Sequence, residues 1–251
     1  MIVIFSLLYV FQEKFIFLNG KIIPKEYSYR FTSKFEELFI TTKSSSINAL
    51  HFKLKNPKGV VLFNHGNKGN LMKWGEKVNF FLKCNYEVLV YDYRSYGKSK
   101  GKFDEDEMYN DALEVYNHLK AYYEECNIVV YGFSLGSTFA TKIASINNPK
   151  HLILEAPFFN FKKAVRFVTK LVPIFLLKYQ FRTDIDIQNV KCPITIFHGN
   201  LDKTTSFKDS KELYTFINTQ NKEFVMVNKG THHNIKDFAI YKKKLKEILY
   251  S

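Results

Sequence analysis

The sequence predicts an α/β protein: a mostly parallel, doubly wound sheet of about eight strands with helices on both faces. Three observations carry this. Short apolar stretches of strand length alternate with helix-like stretches of roughly 10–20 residues, which is the pattern of βαβ units. One apolar stretch, 128–132, runs straight into Gly132-Phe133-Ser134-Leu135-Gly136, a strand that must turn sharply into a helix at a serine. Other strand exits carry His, Asp and Asn instead of featureless turns. With 46% apolar and 24% charged residues, the 251-residue chain is globular rather than disordered. It is long enough to bury a sizeable core.

After Pro24 the elements follow in order. Residues 37–42 and 49–54 read as an antiparallel pair joined by Lys43-Ser44-Ser45-Ser46. Residues 59–64, with Val60-Val61-Leu62-Phe63, are a buried strand leading into the Gly-rich loop His65-Gly66-Asn67-Lys68-Gly69-Asn70. A helix carrying Met72, Val78, Phe81 and Leu82 comes next, then a strand over 87–91 and its exit loop, Asp92 to Ser99. Residues 105–124 form a helix with acidic first turns, as the helix dipole prefers. The strand before Ser134 and its helix reach to about 146. Residues 151–155 and 193–197 are further strands, the second ending in His198-Gly199-Asn200-Leu201-Asp202. A helix over 207–218, a last strand over 223–227, the loop Lys229-Gly230-Thr231-His232-His233-Asn234 and a basic amphipathic helix close the chain. Right-handed crossovers place the helices on both faces. Residues 158–189, longer than a plain crossover, predict a small helical cap inserted in a single domain over 25–251.

Residues 1–24 stand apart. Positions 2–11 are apolar except for Ser6, Gln12-Glu13-Lys14 interrupts, and Phe15-Ile16-Phe17-Leu18 resumes. The run is too short for a bilayer span, which takes about 20 residues, and it lacks the basic flank and cleavage site of a signal peptide. Three readings stay open: the tail of a membrane anchor, an interfacial helix, or a packed first helix. Lys14, Lys21, Lys25 and Arg30 all follow the segment, so an anchor would leave the domain on the cytoplasmic side; a soluble cytoplasmic protein is the alternative. The formal net charge of +13 is scattered, with Lys162-Lys163 and Lys242-Lys243-Lys244 as the only runs. It fits a lysine-rich surface or a bias toward an anionic membrane surface, and no nucleic-acid module appears. Cys84, Cys126 and Cys192 form no paired motif and are expected as buried free thiols, in keeping with a reducing compartment.

The chemistry collects at strand exits, where ligands bind in doubly wound sheets. Gly132 and Gly136 let two backbones pass closely around Ser134, and the helix starting there aims N–H groups and a positive dipole end at a developing oxyanion. Ser134, then an acid at Asp202, then the histidines at 232–233 give the chain order Ser, Asp, His. Together these pieces resemble an α/β-hydrolase of the group that includes Bem46-like and serine-aminopeptidase-like hydrolases. The matching motifs are Asn64-His65-Gly66-Asn67-Lys68-Gly69-Asn70, Asp92-Tyr93-Arg94-Ser95-Tyr96-Gly97-Lys98-Ser99, Gly132 to Gly136, His198 to Asp202 and His233-Asn234. They run through most of the chain after about residue 36. Residues 9–18 are also similar to the stretch just after the N-terminal anchor in bacterial members.

Ser134 is then the expected nucleophile, a histidine its base and Asp202 the residue that orients the imidazole. Adjacent histidines cannot both face one site. The family's His-Asn pattern selects His233 and leaves His232 where a Gly is usual. The backbone N–H groups of Leu135 and Asn67 are the expected oxyanion donors. Glu155 ends a strand and is a rival acid, one strand too early for the pattern. His65 and His198 are expected as structural histidines, and His51, His118 and His151 as surface or edge residues. Asp92 and Arg94 are expected to brace their loop as a polar pair. Two departures from the family stand out, Ser95 for a usual Gly and Thr204-Thr205-Ser206 for a stretch that commonly carries Pro, and neither is expected to touch a catalytic atom. No metal-ligand spacing and no dinucleotide fingerprint imply a cofactor.

The cap sequence 158–179 interleaves Phe158, Phe159, Phe161, Phe167 and Phe175 with Lys162, Lys163, Arg166, Lys170 and Lys178. A plain cap over the sheet edge is one reading; an acyl-chain pocket touching an anionic lipid surface is the other. The resemblance implies a serine hydrolase cleaving a carboxylic ester or thioester through an acyl-enzyme, with a small-molecule or acylated substrate. A serine aminopeptidase and a non-catalytic scaffold are the alternatives.

Overall fold

The computed structural model describes residues 9–14, 16–169 and 173–250. Eight strands form one sheet: β1 (Phe35–Thr41), β2 (Ser46–Phe52), β3 (Gly59–Asn64), β4 (Tyr86–Tyr91), β5 (Ile128–Phe133), β6 (His151–Glu155), β7 (Ile194–Gly199) and β8 (Lys222–Val227). Their order is β1-β2-β4-β3-β5-β6-β7-β8. β2 is antiparallel to both its neighbours, and every other pair is parallel. β3, β4 and β5 are buried at every position. That explains their unbroken apolar runs, since a strand covered on both faces has no polar side to show.

The helices divide between the faces as the crossover rule requires. α1 (Glu105–Lys120), α2 (Gly136–Ile146) and α4 (Phe207–Thr215) cover one face, packing Met108, Val115, Phe139, Ile143 and Leu213 on Leu62, Leu89, Val130 and Ile196. The helical stretch Leu71–Trp74, Gly75–Val78, Asn79–Lys83 and the C-terminal helix α5 (Ala239–Tyr250) cover the other, with Leu71, Val78, Phe81, Leu245 and Leu249 on Val61, Val88, Val129 and Ile153. Asp104 caps α1 by accepting the Glu107 N–H at 2.9 Å. The insertion between β6 and β7 carries α3 (Phe161–Val168), capped by Asn160, and further short helical turns.

The sheet switches direction of growth at β3: the chain steps to β4 on one side and returns to place β5 on the other. The exits of β3 and β5 are thereby adjacent, which is where such sheets open a crevice.

The sequence 1–24 is represented from residue 9. Residues 9–14 are helical, and the segment lies against the domain. Phe17 is in the core, stacked on Phe103 at 4.3 Å and edge-on to Tyr179. Gln12 binds the cap, its Nε2 donating to the Leu176 carbonyl (3.1 Å) and its Oε1 accepting the Lys178 N–H (2.9 Å). The expectations on residues 1–8 lie outside the described residues. No helix among the described residues is long and apolar enough to cross a membrane.

Three smaller expectations are corrected. Cys126 is exposed, while Cys84 and Cys192 are buried. His51 is buried, not at the surface, with its Nε2 3.0 Å from Glu87. Asp92 and Arg94 do not pair with each other. Asp92 sits 3.3 Å from His65 Nε2 and accepts the Leu71 N–H, and Arg94 bonds Asp111 (2.8 Å) and Glu107 (3.2 Å).

Candidate active site

Ser134 sits where β5 turns into α2, with φ of +52°, the left-handed conformation expected of a residue at the crest of a sharp strand-to-helix turn. The turn is held by Ser134 N–H to the Glu155 carbonyl at 2.9 Å and Ser137 N–H to the Ser134 carbonyl at 3.0 Å. Both flanking glycines are required by contact. A Cβ on Gly136 would lie 2.0 Å from the Asn64 carbonyl oxygen, and one on Gly132 2.7 Å from the Gly136 carbonyl oxygen.

The loops after β7 and β8, which carry Asp202 and His232, are brought together by a second close approach. A Cβ on Gly199 would lie 2.3 Å from the Gly230 carbonyl oxygen, and the Leu201 N–H donates to that same oxygen at 2.9 Å. This contact sets Asp202 against His232. The Nδ1 of His232 is 2.7 Å from Asp202 Oδ2, and its Nε2 is 3.1 Å from Ser134 Oγ.

The histidine facing Ser134 is therefore His232, one residue before the expected His233. The loop explains the register. Asn234 Oδ1 accepts the Thr231 N–H at 2.7 Å, closing a tight turn over 231–234 in which the two histidine rings meet edge to face, centroids 4.9 Å apart. His232 is buried against the Phe133 ring, centroids 5.0 Å apart. His233 is exposed on the far side and meets neither Ser134 nor Asp202 by a hydrogen bond. Burial, His232 and Lys73 hold its pKa below the usual histidine value.

Asp202 is held from several directions. Its Oδ1 accepts the N–H groups of Thr204 (2.7 Å) and Thr205 (2.9 Å); its Oδ2 accepts Thr205 Oγ1–H (2.9 Å) as well as His232, and His198 Nε2 is 3.4 Å away. Burial alone would raise its pKa, but the bonds from His198, His232 and the Thr205 amide outweigh it and hold the carboxyl well below the usual carboxylate range. Thr205 thus touches the acid directly, contrary to the expectation that the 204–206 departure is remote from the site. The signal was present: a Thr three residues beyond an Asp can close back on it through its own N–H and hydroxyl. Glu155, the rival carboxyl, forms no hydrogen bond with His232. Its carboxylate accepts from the Tyr131 and Tyr241 hydroxyls, and burial pushes its pKa up.

Asn67 and Leu135 flank Ser134 at the mouth of one cavity, and their backbone N–H groups have no acceptor among the described residues. The Asn67 side chain ties its loop to the N-terminal segment: Nδ2 donates to the Ile16 carbonyl at 2.5 Å, and Oδ1 is 2.7 Å from the Tyr96 hydroxyl. The cavity has a volume of about 520 Å³. The cap supplies Phe161, Val165, Val168 and Leu177, and the N-terminal segment supplies Gln12, Ile16 and Leu18. The sequence indicated the cap's part; beyond the apolarity of residues 15–18, nothing indicated that of the N-terminal segment. Among the described residues no group of His, Cys, Asp and Glu is arranged to hold a metal ion.

Fold and strand-exit geometry define an α/β-hydrolase. Residues 55–185 match the family Hydrolase_4, described as "Serine aminopeptidase, S33", and the chain belongs to that family. An uncharacterized protein of Acanthamoeba polyphaga mimivirus is 29% identical, over 84% of this chain and 83% of its own length. Lysophosphatidylserine lipase ABHD12 of Macaca fascicularis is 28% identical over 64% of this chain and 46% of its own length, so the chain spans about half of that relative. Among solved structures, the Pyrococcus furiosus esterase Pf2001 superposes with a TM-score of 0.75 at 20% identity, over 92% of this chain and 98% of that one; the likeness is one of fold.

Proposed function

We propose that the protein is a serine hydrolase that cleaves carboxylic esters or thioesters of apolar acyl groups through an acyl-enzyme on Ser134. The observation that carries this reading is the continuous Ser134–His232–Asp202 hydrogen-bond chain at the mouth of an apolar cavity. Ser134 Oγ attacks the acyl carbonyl while His232 Nε2 takes its proton. His232 returns the proton to the leaving group, which departs as alcohol or thiol, and then activates the water that releases the acid. Asp202, ionised and bound to Nδ1–H, fixes the tautomer and stabilises the imidazolium. The free N–H groups of Leu135 and Asn67 receive the oxyanion, each such donor being worth about 3–4 kcal/mol.

The family's description as an aminopeptidase favours a second reading, cleavage at a free amino terminus. The cavity argues against it, because its lining among the described residues contains no carboxylate to receive an ammonium group. Apolar residues exposed on the cap and on the segment packed against it, including Tyr9, Phe11, Phe167 and Phe175, suit contact with a lipid surface, with Lys14, Lys162 and Arg166 beside them in sequence.

A fluorophosphonate probe tests the nucleophile: wild type labels and Ser134→Ala does not, whereas equal labelling of the two refutes the assignment. p-Nitrophenyl esters set against aminoacyl amides separate esterase from peptidase. Sedimentation with anionic-lipid vesicles tests the surface, and no co-sedimentation rejects it.

A further inference from the structure

A second cavity, of about 400 Å³, lies on the opposite side of Phe133 from Ser134, between the helical stretch 71–83 and the segment 233–245. Its walls are aromatic, with Phe63, Trp74, Phe80, Phe81 and Phe133. Lys68, Lys73, Lys77, Lys236 and His233 also line it. None of these four lysines forms an ion pair with a carboxylate among the described residues. Their charges act on one another: after burial, Lys77 is the largest influence lowering the Lys236 pKa, and Lys68, Lys77 and Lys236 lower that of Lys73. Two carboxyls line the cavity. Glu155 is bound by two tyrosine hydroxyls and pushed toward its neutral form by burial, and Asp237 is at the surface. Glu155 and Asp237 offset the charge on Lys236 only in part, since burial and the neighbouring lysines leave its pKa lowered; like charges around an apolar hollow raise the energy of the empty site, and an anion carried on an apolar group would lower it.

We infer that this cavity is a binding site for an amphipathic phosphate monoester, with the phosphate held by Lys73, Lys77 and Lys236 and the apolar part against the aromatic walls. The site is separate from the acyl cavity, with which it shares no lining residue, and the inference holds whether or not Ser134 is a nucleophile.

Trp74, the single tryptophan of the chain, reports on it. The ring lines this cavity and not the other, and Lys73 Nζ lies 4.8 Å from the ring centroid, so drawing Lys73 onto an anion changes the ring's surroundings. The test is a titration of Ser134→Ala protein, read by Trp74 fluorescence, with octyl phosphate, inorganic phosphate and octyl glucoside. Octyl phosphate is expected to give a saturable change that weakens with added salt. Inorganic phosphate should bind at least tenfold more weakly, and octyl glucoside should give no saturable change. The triple variant Lys73→Gln/Lys77→Gln/Lys236→Gln, checked for an unchanged melting temperature, should lose affinity for octyl phosphate at least tenfold. A flat octyl phosphate titration, an unchanged Kd in the triple variant, or equal binding of octyl glucoside overturns the inference. Equal affinity for inorganic phosphate overturns the role of the aromatic walls.

Discussion

Two adjacent histidines have opposite fates here. His232 bonds Ser134 and Asp202, and His233 turns away toward the lysine-lined cavity. His232→Ala should lower kcat by a factor on the order of 10⁴ or more, as removal of a triad base does, while His233→Ala should stay within a few-fold of wild type. The rates on one p-nitrophenyl ester decide the matter, and the reverse ranking would return the base to His233. Thr205→Val removes one hydroxyl donor from Asp202 but keeps both backbone donors. A hydrogen bond to a charged group is worth about 1.5–3 kcal/mol, so kcat should fall roughly ten- to a hundredfold with KM little changed. That Ser134 and Asp202 come to one place could be read from the chain because their positions are fixed by strand exits, which the hydrophobic pattern locates to within a residue or two. The histidine could not, because a one-residue choice within a turn depends on the Thr231–Asn234 bond and not on any strand.

The loops that carry these side chains are positioned by backbone contacts that leave little trace in composition. Gly199 and Gly230 pack the loop of Asp202 on the loop of His232, so Gly199→Ala must push them apart. Overpacking of this kind costs about 1–3 kcal/mol; the melting temperature should drop, and ester hydrolysis should drop by a larger factor than the fraction unfolded explains. Equal losses would mean that the contact only stabilises the fold. The strands and most helices were legible because both periodicities are strong: β3, β4 and β5 read as unbroken apolar runs, and α1 announced itself by its acidic first turn. The N-terminal segment was ambiguous because ten apolar residues suit an anchor, an interfacial helix or a packed wall equally. Its docking depends on Phe17, Gln12 and the Asn67 clamp, which are tertiary contacts with partners more than 45 residues away in sequence. Asn67→Ala keeps the backbone donor and releases the clamp. It should raise KM for long-chain esters, whose cavity Ile16 and Leu18 line, more than for acetyl esters.

Seen whole, the sheet separates two chemistries. One cavity is walled by cap and N-terminal segment and is almost purely apolar beside Ser134; the other is aromatic, with a lysine rim and Glu155 within it. The first predicts a chain-length series. Each methylene buried contributes about 0.8 kcal/mol, or about fourfold in kcat/KM, so kcat/KM on p-nitrophenyl esters should climb with acyl length until the cavity is full and then level off; a series flat from acetyl upward would remove the cavity from the argument. The second predicts a pH dependence of stability. Burial raises the Glu155 pKa above its unfolded value near 4.5, against the bonds from Tyr131 and Tyr241 that favour the ionised form. As pH rises through the unfolded value, the unfolded chain releases this proton while the folded chain retains it. Folding therefore loses stability over that window, and the loss is complete once pH passes the folded pKa. Glu155→Gln cannot titrate and should lack this component. The melting temperature of the variant minus that of wild type should accordingly rise between pH 4 and neutrality, whatever its starting offset, in scans at constant ionic strength. A difference that stays flat or falls over that range would mean that Glu155 is ionised within the fold and that its charge is answered by Lys236 across the cavity.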